Sequence, residues 1–325
     1  MKRLFLGIVI ATLAYSGWWF YAAHDLRSSV DIWFEDLRTA GWDATYADIT
    51  VRGFPSRTDL TLTEPTLMSP NGKIGWQAPF FQILGLTYKK GHVIAAWPDA
   101  QTLQTPDGAI EVKSDGMRAS VIYEDDRVLR SNFEAAVVNL AGPDETVALA
   151  GVNAALEQTV PGLAEYRVAV AINGLAMSNP SVTGSLAPEA LATLRTETVM
   201  RLSDPLSLTS ATDTNPQLEA LTVRTMQVDY GALTMKLGGH ADFDEQGRAT
   251  GEVTLEAQNW REALQTAQDA GNLPPEIADT VRDVLGLVAS LNGNRDTLDV
   301  TLGLDRGRVM LGPLPIGELQ PFDWP

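Results

Sequence analysis

The side chains best suited to acid–base or metal chemistry in this 325-residue chain are three histidines, His24, His92 and His240, and 41 aspartates and glutamates. The histidines are far apart in sequence, and a lone histidine is more often a surface or satisfied core residue than a base. A Ser-His-Asp site could assemble from distant positions, but no Gly-x-Ser-x-Gly elbow accompanies one. A Gly-x-x-x-x-Gly-Lys-Ser/Thr phosphate loop, a Gly-x-Gly-x-x-Gly fingerprint and a His-Glu-x-x-His motif are missing as well. The loop Asp242-x-Asp244-x-Gln246-Gly247 opens like a calcium loop, yet the twelfth position is Val253 and Glu252 comes one residue early, so it reads as a hairpin turn. Asp125 and Asp126 are adjacent, facing opposite sides on a strand or solvated in a turn. Without cysteine there is no disulfide, thiolate nucleophile or zinc–thiolate site. The expectation is a protein with no catalytic residue, no bound metal and no cofactor. A hydrolase with a dispersed site is the third alternative, because paired carboxylates need only meet in space.

The residues with a more specific possible use are apolar. Trp76, Phe80, Phe81 and Trp97 either line a groove for lipid or fill a core. Phe54, inside Gly53-Phe54-Pro55, is either an apolar finger toward lipid or the plug of a tight turn in which glycine and proline supply the dihedrals. The net charge of −17 argues against nucleic acid as a partner, and no basic amphipathic patch suggests that the whole domain lies flat on an anionic membrane.

The element that positions everything else is the beginning of the chain. Lys2 and Arg3 precede Leu4–Tyr21, which carries no charged side chain and as a helix would span roughly 27 Å, near the thickness of a bilayer core. Charge placement predicts an N-terminus in the cytoplasm and the bulk of the chain in the periplasm, moored to the inner membrane by a single pass. Trp18, Trp19 and Tyr21 suit an aromatic belt at the outer interface, and with Lys2 and Arg3 they flank the anchor. A cleaved signal peptide is the competing reading. Cutting after Ala23 would place bulky Tyr21 at position −3, and cutting after Ala14 would leave only about ten apolar residues.

Val30, Trp33, Phe34 and Leu37 recur at helical spacing before Gly41, which predicts a stalk helix over residues 24–41. From Ala44 the period becomes two, and strands are expected over 44–51 and 59–63, then at His92–Trp97, Ile110–Lys113, Met117–Tyr123 and Val128–Val138. Helices are expected at Val147–Gln158 and Pro188–Thr198, with a strand at Glu165–Asn173 between them. Strands return at 221–230, Leu233–Phe243 and Thr250–Ala257. Asn259 and Glu262 resemble a capping pair opening a helix at Trp260–Ala270. Ile277, Val281, Leu285 and Val288 suggest a further helix after Pro274-Pro275. Strands at Thr297–Leu304 and Arg308–Leu311 and a proline-punctuated, edge-covering tail close the chain. The fold class is therefore α+β and β-rich: mostly antiparallel curved sheets with packed helices, behind one transmembrane helix and a stalk helix. The expected divisions are an anchor at 1–23, the stalk at 24–41, a first β-rich lobe at 42–175 and a second at 176–325.

Several features coincide in the Lys/Arg-plus-anchor start, the stalk ending at Gly41, the segment Gly53-Phe54-Pro55-Ser56-Arg57, the pattern Gly238-Gly239…Gly247…Gly251…Asn259-Trp260 and the ending Gly312-Pro313-Leu314-Pro315-Ile316-Gly317. Together they resemble the bacterial domain-of-unknown-function family 2125 of anchored envelope proteins, a resemblance that covers nearly the whole chain. It implies no catalytic residue, substrate or cofactor. The layout of an anchor followed by β-rich repeats is similar to that of AsmA-like proteins, which implies an association with lipid movement or outer-membrane homeostasis. The functional expectation is a periplasmic protein that binds or carries lipid or another amphiphile. The alternative is a non-enzymatic scaffold that recruits another envelope protein.

Overall fold

The computed structural model describes residues 2–178, 191–208, 216–269, 286 and 297–322. It is β-rich, with antiparallel strand pairing, and begins with one long helix, α1 (Lys2–Thr39). The anchor and stalk expected as successive pieces are a single helix, because no proline or glycine interrupts the sequence between Trp18 and Ala40. The helix ends as expected at Gly41, where the Trp42 amide donates to the Leu37 carbonyl at 3.0 Å. Trp19, Phe34 and Leu37 are its buried residues. Leu26 and Val30 pack on the same side, so the seated stripe runs from the apolar segment to the last turn.

Packing divides the chain into two units, Met1–Ile122 with Val138–Pro143, and Tyr123–Val137 with Asp144–Pro325. After α1 come β1 (Asp43–Thr45), β2 (Asp48–Arg52), β3 (Arg57–Thr63), β4 (Thr66–Met68), β5 (Gly75–Gln77), β6 (Phe80–Leu86), β7 (Lys89–Ala96), β8 (Ala100–Thr105), β9 (Gly108–Asp115), β10 (Arg118–Glu124) and β11 (Arg127–Ala141). In the first unit one antiparallel run follows the order β2, β3, β6, β7, β10. A second follows β1, β4, β5, β8, β9. Phe34 and Leu37 of α1 meet Ala44, Ile49, Leu60 and Leu62 in the core of this unit. Phe34 is fully buried and lies edge-on to Tyr46 at 4.8 Å between ring centroids.

The second unit continues with β12 (Thr146–Gln158), β13 (Glu165–Ser178), β14 (Ala192–Leu202), β15 (Leu218–Tyr230), β16 (Leu233–Phe243), β17 (Ala249–Gln258), α2 (Trp260–Asp269), β18 (Thr297–Asp305), β19 (Arg308–Leu311) and β20 (Leu314–Glu318). Each strand from β12 to β20 pairs antiparallel with the next, a simple meander. Two expected helices are corrected here. Val147–Gln158 is a strand paired with β13 from Thr146↔Ser178 to Gln158↔Tyr166, and of the second expected helix residues 192–198 lie in β14. Cross-strand pairing on both sides of β13 overrides the helix preference of these alanine- and leucine-rich segments. With this pairing β13 belongs to the second unit.

The helix at 260–269 forms as expected, although the Asn259 side-chain amide donates to the Ala232 carbonyl at 2.9 Å. The helix expected around Ile277–Val288 lies outside the described residues, residue 286 excepted. The proline tail forms β20, an exposed strand on the edge of β19.

Candidate functional site

Of the five aromatics singled out for apolar contact, three meet. Trp76 lies on β5, Phe81 lies on β6 and Trp97 follows β7; the Trp76–Phe81 centroids are 5.8 Å apart and the Phe81–Trp97 centroids 5.3 Å. With Trp33, Leu103 and Met117 they line an apolar cavity of about 450 Å³ inside the first unit, within the roughly 300–1,000 Å³ typical of small-molecule sites. Gln101 also lines it, but its carboxamide oxygen accepts from the Trp76 indole at 2.7 Å, so its polarity is spent within the wall. Phe80 is one residue out of phase with Phe81 on β6 and is exposed outside the cavity lining.

Phe54 also stands elsewhere, in the β2–β3 turn, stacked on Phe20 of α1 at 5.9 Å and edge-on to Trp19 at 5.5 Å. Gly53 makes that turn possible: its φ is +105°, and a Cβ there would lie 2.7 Å from the Cβ of Arg57. Of the residues expected to flank the anchor, Lys2 and Arg3 open α1, and Trp18 and Tyr21 are exposed. Trp19 is instead buried under the β2–β3 turn, its indole N–H donating to the Arg57 carbonyl at 2.8 Å.

A larger apolar surface was not assembled from the sequence. Across the second unit the register places Ile172, Leu194, Val228, Met235, Ala257 and Leu298 opposite one another in one row. The adjacent row is Val170, Thr196, Met226, Leu237, Leu255 and Val300. Directly paired residues share a face, so one side of the meander is apolar over consecutive strands. Every residue of the second row is only half-buried, whereas a closed core would bury them. At one end Trp260 and Leu264 of α2 pack on Met235, Ala257, Leu298 and Val300. The signal in the sequence was the period-two alternation of each strand; the phase between strands was hidden by the β-bulges at Glu197/Thr198 and Val223/Met226.

The opposite face is polar. Arg167 meets Glu157 at 2.7 Å, Arg224 meets Glu197 at 2.9 Å, and the Thr254 and Thr301 hydroxyls are 3.1 Å apart. His240 lies between Thr222, 2.9 Å from its Nδ1, and Asp242, 3.4 Å from its Nε2. Asp242 is also 3.7 Å from the Arg201 guanidinium, so its charge is shared with a surface ion pair. The loop with a calcium-like start is the β16–β17 turn, where the Asp244 carboxylate accepts from the Gln246 and Arg248 amides.

Asp229 ties three strands together. Hydrogen bonds from Thr234 and Gln227, and then from Thr193, hold its carboxyl below the ordinary range. A depressed native value stabilises the fold above the unfolded pKa of about 4 and is lost as pH falls through the native value. The Thr234→Val variant is therefore expected to melt below the parent protein at neutral pH. The two melting curves should draw together under acid, as read by thermal denaturation across a pH series. A gap that stays constant with pH would show that the carboxylate interaction is not the cause.

The sequence model of a family described as "Uncharacterized protein conserved in bacteria (DUF2125)" matches residues 19–320. Comparisons with curated proteins and with solved structures return no match.

Proposed function

Since the chain belongs to this conserved bacterial family and carries one helix long and apolar enough to cross a membrane, we propose that it is a single-pass envelope protein that binds acyl chains. Lys2 and Arg3 ahead of the apolar segment support an N-terminus in the cytoplasm, and with it a periplasmic location for both units. The observation that carries the proposal is the apolar face of the meander, whose two rows run across consecutive strands and of which one row stays half-buried throughout. The aromatic cavity of the first unit has the same chemistry on a smaller scale. An anchored protein has lipid as its nearest apolar ligand, and the face carries no charge that would select a polar one.

The activity proposed is binding rather than catalysis. Among the described residues Thr222, His240 and Asp242 group a hydroxyl, an imidazole and a carboxylate, but they lie on the polar face, with histidine and aspartate side chains about half exposed and the aspartate engaged by Arg201. A general base works from a site that excludes water, and this one is bathed in it.

Photo-crosslinking in cells tests the reading. A benzophenone side chain at Leu237 is expected to trap lipid, while the same group at Lys236, one residue away on the polar face, traps none. Equal lipid labelling at both positions, or none at either, overturns the proposal. The scaffold alternative draws on β20, an exposed edge strand presenting Leu314 and Ile316. A benzophenone at Ile316 that traps one protein, with no lipid trapped at Leu237, would favour it.

A further inference from the structure

The β2–β3 and β6–β7 turns are fastened to each other and to the apolar part of α1. The Thr87 amide donates to the Ser56 carbonyl at 3.1 Å, joining the two turns. The Tyr15 hydroxyl donates to the Pro55 carbonyl at 2.6 Å and lies 3.1 Å from the Thr87 hydroxyl. One helical turn further on, Trp19 donates to Arg57 and packs against Phe54. Both turns therefore sit beside residues 15–20 of the helix.

That position conflicts with a membrane surface lying below them. The shortest helical span, about 17 residues, counted from Leu4 reaches Phe20. Tyr15 then lies about 8 Å inside the point where the helix emerges after Phe20. Had the bilayer ended before Tyr15, only Leu4–Ala14 would remain to cross it, about 16 Å of helix against a hydrocarbon core near 30 Å. The turns carry side chains suited to the interface. Tyr88 is 75 % exposed and Phe54 49 %, the latter stacked on Phe20, and Phe20 and Tyr21 of α1 are exposed as well. Lys89, Lys90 and Arg52 are exposed at the same two turns, in a chain that is otherwise strongly acidic. Aromatic rings among cations match the boundary between acyl chains and phosphate groups.

We infer that the β2–β3 and β6–β7 turns are embedded in the outer interface of the bilayer that α1 crosses, with Phe54 and Tyr88 among the lipids and Lys89 and Lys90 at their phosphates. The inference rests on the anchoring proposed above and adds a second, β-built contact with the membrane. Its partner is the lipid surface itself, which the acidic remainder of the chain does not favour.

The chain has no cysteine, so single cysteines for spin labels can be placed without background. Full-length Y88C, F54C, L13C and K73C are reconstituted in vesicles of phosphatidylethanolamine and phosphatidylglycerol, and collisions with oxygen and with a water-soluble nickel chelate are compared. Leu13 reports on the anchor, and Lys73 on a turn near Gly41, at the far end of α1. The labels at 88 and 54 are expected to show a severalfold loss of nickel collisions relative to 73, with oxygen favoured as at 13. Nickel access at 88 equal to that at 73, with 13 still shielded, overturns the inference and leaves the anchor standing. Nickel access at 13 overturns both. Tyr88 decides the matter should F54C perturb packing, because its ring is largely exposed.

Discussion

Gly251→Ala is expected to destabilise the second unit by about 3 kcal/mol, lowering its melting midpoint by roughly 6–12 °C. Gly251 on β17 pairs with Ala241 on β16. A Cβ at this position would lie 2.0 Å from the His240 carbonyl oxygen and 2.9 Å from the Ala241 Cα. Both atoms are backbone, so relief requires the strands to part rather than a side chain to turn. Parting them disturbs Ala241, Ala249 and Leu304, a buried cluster at that end of the sheet. Gly303→Ala is the matched control: its added Cβ would meet only the Met310 Cβ, at an ordinary 3.6 Å. Calorimetry of the two full-length variants should show the first transition displaced and the second near the parent; equal midpoints would refute the close-approach argument. The glycine pattern in this half of the chain thus records how tightly β16 and β17 come together.

Phe34→Ala is expected to cost about 3–5 kcal/mol and to free α1 from the first unit. The ring is fully buried among Leu37, Ala44, Ile49, Leu60 and Leu62, and it also borders the aromatic cavity. Its loss would leave a void too well framed by strands to collapse, and the contact between helix and sheet would weaken over several turns. Ile32, exposed by 60 % on the same helix, supplies the control, since Ile32→Ala removes little buried surface. Hydrogen exchange should report faster turnover of the Val30–Leu37 amides in the Phe34 variant and parent-like rates in the Ile32 variant. Unchanged protection in the Phe34 variant would mean that the stalk is held by something other than this core.

The sequence was most legible where one period ran without interruption. The apolar start, the stripe ending at Gly41 and the strands Leu233–Phe243 and Arg308–Leu311 appear in the structure at their expected positions. It misled at Val147–Gln158, where Leu149, Val152 and Leu156 fall at i, i+3 and i+7. Gly151, at φ +60°, interrupts that strand, and the apolar residues change phase across it, so a strand imitates helical spacing. The aromatics Trp76, Phe81 and Trp97 were identifiable by residue type, but their meeting depends on β5 and β6 belonging to different antiparallel runs. No local pattern encodes that. The apolar face of the meander is further removed, being a property of register across bulged pairs rather than of any single segment.

Because α1 passes without a break from its apolar segment into the core of the first unit, that unit has no swivel. Where the helix crosses a bilayer, a change in bilayer thickness alters its tilt, and the first unit must lean by the same angle. Its heading relative to the lipid would then be a readout of that bilayer.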